Sequence, residues 1–211
     1  MKNLEEKILE ISAKLGNEVH LKAIRNTFIS MLPIMIFGGI FAVIGAAPAT
    51  ENATGFMKAW ADFVSANSAI FSWVSVLGLG FTSLYIALGI TYNLCKEYKV
   101  DPLIPLFICI FGMFMLTVKP EKLVYGISLT DLTYLDGKGI LVGLFVGIFT
   151  VEIYRILKQK NFGKIKLPDS VPPSLSETFS SLAISVLIML FYLLLFGIFK
   201  SMNTTFAAWV A

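Results

Sequence analysis

Four stretches of this chain run 16 residues or more without a charged side chain, and a fifth carries only one acid–base pair near its end. They cover residues 28–47, 70–93, 103–118, 140–157 and 178–199. At about 1.5 Å per residue, the 20 residues of the first cross the roughly 30 Å hydrocarbon core of a bilayer. Charged residues make up 15% of the 211, whereas a soluble domain carries about a quarter because its surface faces water. With 56% hydrophobic residues and a mean hydropathy of +0.78, too little charge remains to coat a globule. The 18 phenylalanines suit a lipid-facing surface. The expected fold is therefore all-α: a polytopic membrane helical bundle of about five transmembrane helices, one membrane domain over residues 1–211, in contact with membrane lipid.

The charges that remain set the orientation. Five Lys and Arg precede the first stretch, Lys96 and Lys99 lie between the second and third, and Arg155, Lys158, Lys160, Lys164 and Lys166 follow the fourth. Lys58, Lys119, Lys122, Lys138 and Lys200 fall on the other side. A twelve-to-five bias places the N-terminus in the cytoplasm. No cleavable signal peptide is visible in the first 27 residues, which mix five basic with four acidic side chains. Leu4, Ile8, Ile11 and Leu15 recur at helical spacing, so an N-terminal amphipathic helix is expected, ended by Gly16-Asn17 and lying along the bilayer or under the bundle. Asp101-Pro102 fits a cap with proline in the first turn, and Ser174 with Glu177 fits a capping box that starts the last helix at Ser174.

The net charge of +3, carried in short clusters, argues against nucleic acid as a partner. Two cysteines give no disulfide framework. Gly139, Gly143 and Gly147 recur at every fourth position and share one helix face, as do Gly38, Ala42 and Ala46. In lipid such faces allow close backbone approach, within the chain or, as the alternative, between subunits. Glu152 and Arg155 are three apart and should pair near the cytoplasmic end. Cys95 and Cys109 have no adjacent base and read as inert small residues, and His20 has no metal-ligand spacing around it. No catalytic set, metal site or cofactor motif emerges, no internal repeat is found, and substrate-binding residues are not identified. By the residues alone, the chain is a membrane scaffold.

Several segments add to that reading. Lys164-Ile-Lys-Leu-Pro-Asp-Ser-Val-Pro-Pro173, followed by Ser174 and Phe179, resembles the cytoplasmic loop and helix start of the lactose/cellobiose family of phosphotransferase enzyme IIC. Leu135-Asp-Gly-Lys-Gly-Ile-Leu leading to Val151-Glu-Ile-Tyr-Arg155, Tyr98-Lys-Val-Asp-Pro-Leu103, and His20-Leu-Lys-Ala-Ile-Arg25 with Pro33 resemble it in the same order. The resemblance implies a disaccharide permease subunit in a bacterial plasma membrane, handling cellobiose, lactose or chitobiose. A separate soluble IIB subunit, charged by IIA, would phosphorylate the sugar, so the chain itself would be a transport component and not an enzyme. It also implies a homodimer. It covers almost all of this chain but about half of the family's length, the N-terminal half, whereas the family's substrate-facing His and Glu lie in the other half. His20 does not match that histidine, and no catalytic residue is carried over. A truncated permease is therefore expected, with a non-transporting scaffold or dimerisation remnant as the alternative. Pro168, Asp169, Ser170, Pro172 and Pro173 should form a stiff cytoplasmic loop, since proline lacks the N–H donor and favours extended backbone. That loop is either a rigid connector or a surface for a soluble partner.

Overall fold

The computed structural model describes residues 16–46, 54–118, 133–164 and 173–210, with residues 173–177 as backbone only. The expected amphipathic helix of residues 1–15 lies outside the described residues. So do Pro168, Asp169, Ser170 and Pro172, while Pro173 opens the last long helix. All regular structure among the described residues is helical. Among the described residues eight α-helices follow one another: α1 Val19–Gly45, α2 Phe56–Ala66, α3 Ser68–Ser75, α4 Thr82–Glu97, α5 Leu103–Thr117, α6 Ile140–Gln159, α7 Pro173–Ser201 and α8 Phe206–Val210.

Glu18 starts α1 as its cap: the backbone is extended there, and Oε2 accepts the Leu21 N–H at 2.8 Å. From this end α1 runs antiparallel to everything between Phe71 and Glu97. Lys22 pairs with Glu97, Thr27 packs on Gly89, Gly38 on Gly78 and Gly45 on Phe71. At the Gly38–Gly78 crossing the backbones touch: a β-carbon added to Gly38 would sit 2.6 Å from the Gly78 Cα. Glycine is needed at both positions because no side chain fits between the chains.

The second apolar stretch is thus real but not one straight helix. A π-helical turn at Val76–Gly80 separates α3 from α4, and the chain leaves helical geometry at Phe81. A π-turn carries one residue more per hydrogen-bonded ring than an α-turn, so the helix axis is interrupted where Gly78 meets α1. Upstream, Phe56–Ala66 meets Ser68–Gly80 at 74°. Among the described residues three helices are long and apolar enough to cross a membrane: Val19–Gly45, Gly137–Gln159 and Thr178–Ser201. The bent pair makes a fourth if taken as one span, and Leu103–Thr117 is short at 15 residues. Length and apolarity alone thus mark three or four candidate spans among the described residues against the five apolar stretches: the second stretch is broken at the π-turn and the third is brief.

Other boundaries follow local chemistry. Asp101 Oδ1 accepts the Leu103 N–H at 2.8 Å, the cap expected before α5. The last helix begins at Pro173, one residue before the expected Ser174.

The interior has two apolar clusters. In one, Ala23 and Met31 of α1 meet Ile86, Ile90, Leu94 and Cys95 of α4 and Val151 of α6. In the other, Ile108, Cys109, Met113 and Leu116 of α5 pack with Val142, Val146 and Tyr154 of α6 and with Ile184, Ile188 and Tyr192 of α7. Helices α4 and α6 form the centre. Helices α1 and α7 are the outer ones and turn large apolar side chains such as Ile29, Phe37, Leu190 and Leu194 outward. In a membrane chain an outward Leu or Phe is in its proper solvent.

Candidate functional site

The polar side chains that the fold gathers lie at one end of the bundle, where α1 starts and α4 and α6 finish. Glu152, on the last turns of α6, is the hub. Its Oε2 accepts Arg155 Nη2 at 2.8 Å, the pairing expected from their spacing. Its Oε1 accepts the Tyr98 hydroxyl and lies 3.1 Å from His20 Nε2. The other ring nitrogen, Nδ1, is 2.7 Å from Glu18 Oε1. Arg155 stacks its guanidinium 4.0 Å from the centre of the Tyr98 ring, a cation–π contact. Alongside, Lys22 Nζ reaches Glu97 Oε1 at 2.8 Å.

The electrostatics agree with a tight network. The hydrogen bond from His20, reinforced by the Leu21 N–H, holds the Glu18 carboxyl down at about 2. Burial, helped by the hydrogen bond and charge of Glu152, pushes the Tyr98 phenol up to about 12. Tyr98 therefore stays protonated and donates to Glu152. Three chain segments far apart in sequence are stapled together by these contacts. The set contains no nucleophile and, among the described residues, no group of three His, Cys, Asp or Glu placed to hold a metal ion.

The sequence-selected glycines lie along the α4–α6 contact. A β-carbon on Gly143 would sit 2.5 Å from the Ser83 carbonyl oxygen, one on Gly147 2.8 Å from that of Ala87, and one on Gly139 would fall on the Tyr134 carbonyl. Ser83 Oγ donates to the Gly139 carbonyl at 2.6 Å, closing the end of the helix pair opposite to the Glu152 hub. Ala42 and Ala46 line a cleft of about 250 Å³ between α1 and α3, with Phe41, Gly45, Ser68 and Phe71 around it. Among the described residues its polar side chains are the hydroxyls of Ser68, Ser72 and Ser75. Cys95 and Cys109 are buried and free.

The Glu152–Arg155 pair follows from its spacing in the sequence, whereas His20 as a partner of Glu152 does not. The two are 132 residues apart, so no local spacing reports them. The basic-residue topology is the signal that could, since it puts the start of the first helix and the end of the fourth stretch on one side.

Residues 25–210 of the chain match the model of a known family, the one described as phosphotransferase system, EIIC. The chain belongs to the phosphotransferase system EIIC family. EIIC proteins are integral membrane transport components, and the apolar helices of this chain agree with that. This EIIC chain is 28% identical over 194 residues to the oligo-beta-mannoside-specific EIIC component of Bacillus subtilis strain 168, covering 89% of this chain and 42% of the relative. It is 29% identical over 193 residues to the cellobiose-specific EIIC component of Geobacillus stearothermophilus, covering 85% and 41%. The fold is shared with the crystal structure of ChbC, the IIC component of the N,N'-diacetylchitobiose-specific phosphotransferase system. The TM-score is 0.71 at 23% identity, over 90% of this chain and 45% of that one. The chain spans less than half the length of the curated EIIC relatives it matches.

Proposed function

We propose that this chain is part of the membrane permease of a phosphoenolpyruvate-dependent phosphotransferase system for disaccharides of the cellobiose, lactose or chitobiose type. The family match over residues 25–210 carries the reading. Relatives named for cellobiose and lactose, some of them fused EIICB components, support the substrate class and a phosphorylating IIB partner. This chain supplies the scaffold half: it contributes the α4–α6 core with its Gly139, Gly143 and Gly147 contact, while the sugar contacts come from the remaining half of the family's length. Phosphoryl transfer belongs to IIB, charged by IIA, and the membrane is the bacterial plasma membrane. The segment with Pro168, Asp169, Ser170 and Pro172 lies outside the described residues; between the rigid-connector and partner-surface roles expected for it and Pro173, we propose the surface for a soluble subunit.

Uptake tests the assignment. In cells stripped of their own disaccharide permeases and given soluble IIA and IIB, the 211-residue chain alone should accumulate no labelled phosphorylated disaccharide. Co-expression with the second half of a close relative should restore accumulation, because each half buries its faces against the other. Robust uptake by the chain alone would place the sugar site within these helices and overturn the division of labour. No uptake in the paired cells, when the intact relative transports, would favour a scaffold without transport.

The orientation is part of the same proposal. Lys22, Lys96, Arg155, Lys158 and Lys160 cluster where α1 begins and where α4 and α6 end, whereas Lys138 precedes α6 and Lys200 ends α7. A cytoplasmic N-terminus follows from the excess of positive charge at the first end. Single cysteines at positions 58 and 160, in a background lacking Cys95 and Cys109, should label from opposite faces of intact cells, position 58 from outside. Same-face labelling would overturn the topology.

A further inference from the structure

The chain has a single histidine, and it lies between two carboxylates. Neither carboxylate is idle. Glu18 Oε2 takes the Leu21 N–H as the cap of α1, and Glu152 takes the Tyr98 hydroxyl on Oε1 and Arg155 on Oε2. Both act as acceptors only, so each ring nitrogen of His20 must donate. A neutral imidazole has one N–H and would turn a lone pair onto a negatively charged oxygen at 2.7 or 3.1 Å. The contact set fits the imidazolium alone.

The remaining groups at this end, among the described residues, are already engaged. Lys22 of α1 is paired with Glu97 of α4, and Arg155 of α6 is held by Glu152 and stacked on Tyr98. Among these described groups the ring is the cation that meets Glu18. Helix α1 needs this tether. It is an outer helix, 11% buried over its most apolar stretch, and near its start only Ala23 and Thr27 are buried.

We propose that His20 is a proton-operated clasp: as an imidazolium it ties the start of α1 to the end of α6, and loss of its proton frees that end of α1. The clasp is closed at low pH and opens as pH rises through the midpoint of the ring, because the neutral ring serves one carboxylate and is repelled by the other. Release at Glu152 removes the polar tie from the start of α1 to α6 and leaves that end on α4, through the partly exposed Lys22–Glu97 pair, the Asn93–Thr27 hydrogen bond and the packing of Ala23. This reading does not depend on which sugar is carried.

Two measurements test it on the full chain in lipid nanodiscs. With histidine labelled by ¹⁵N, one residue gives the two ring signals. Both nitrogens should be protonated at pH 6, and the midpoint should fall about tenfold in proton affinity in Glu152→Gln, and likewise in Glu18→Gln. A ring with one N–H at pH 6, or a midpoint unmoved by both variants, overturns the proposal. Spin labels at positions 21 and 159, with Cys95 and Cys109 replaced by alanine, report the separation of the two helix ends. The distance distribution should lengthen and broaden between pH 6 and pH 9 in step with the ring titration, and should ignore pH in His20→Gln. An unchanged distribution while the ring deprotonates, or the same pH response in His20→Gln, also overturns it.

Discussion

Replacing Gly143 with leucine should sharply lower the stability of the bundle. The position allows no β-carbon: one would lie 2.5 Å from the Ser83 carbonyl oxygen and 3.0 Å from its Oγ. The obstacle is the backbone of α4, which is buried between α1 and α6 and cannot turn aside as a flexible side chain would. Overpacking of a close-packed interior costs about 1–3 kcal/mol and rises when backbone must move. The added leucine side chain requires α4 and α6 to separate along their length, with loss of the Ser83–Gly139 hydrogen bond at the near end. Thermal melting in detergent should show a large drop for Gly143→Leu and a smaller one for Gly143→Ala. Gly197 of α7, which has nothing within 4 Å of an added β-carbon, is the control, and Gly197→Leu should melt as the parent does. Equal melting of Gly143→Leu and the parent would mean that the α4–α6 contact is not as close as described.

The second large effect is expected at Tyr192. Its side chain is fully buried on α7 and presses its ring edge against Gly112 of α5, where an added β-carbon would come within 2.6 Å of Cε2. The same ring meets Phe149 of α6 edge-on at 5.8 Å. Its hydroxyl lies 2.7 Å from Thr150 Oγ1 and donates to the Val146 carbonyl at 3.3 Å. Tyr192→Ala removes the ring from the junction of three helices and leaves a cavity, at a cost of about 3–5 kcal/mol for loss of a large aromatic. Tyr192→Phe removes only the hydroxyl. Thr150 can then bond back along its own helix to the Val146 carbonyl four residues earlier, so about 1 kcal/mol is expected. Melting of the two variants separates volume from polarity. A phenylalanine variant as weak as the alanine variant would mean that the hydroxyl, and not the ring, holds this junction.

Much of this architecture is legible in the residues. Apolar runs report lipid contact directly, so the positions of α1, α5, α6 and α7 follow from them. The four-residue spacing of Gly139, Gly143 and Gly147 puts them on one face because a helix turns once in about 3.6 residues. Features that depend on partners are not legible. Helix α1 begins at Val19, nine residues before the uncharged run at Phe28, because hydropathy marks lipid and not hydrogen bonding. The π-turn Val-Leu-Gly-Leu-Gly has the composition of any apolar helix, and only the crossing of Gly78 with Gly38 on α1 distinguishes it. His20 looks solitary in the sequence because neither carboxylate announces itself as its partner. Glu152 has Arg155 three residues on, and that pairing is correct, yet it occupies only one of the two carboxylate oxygens.

Helices α4 and α6 run in the same direction and are fastened at both ends, by Ser83 to the Gly139 carbonyl at one and by Tyr98 to Glu152 at the other. Two rods bolted together at each tip can neither slide nor twist past one another. Any rocking of this half of an EIIC protein must then leave that pair as a fixed chassis. The side chain-free crossing of Gly38 and Gly78 is the natural fulcrum for α1, with the His20 end as the long arm of the lever.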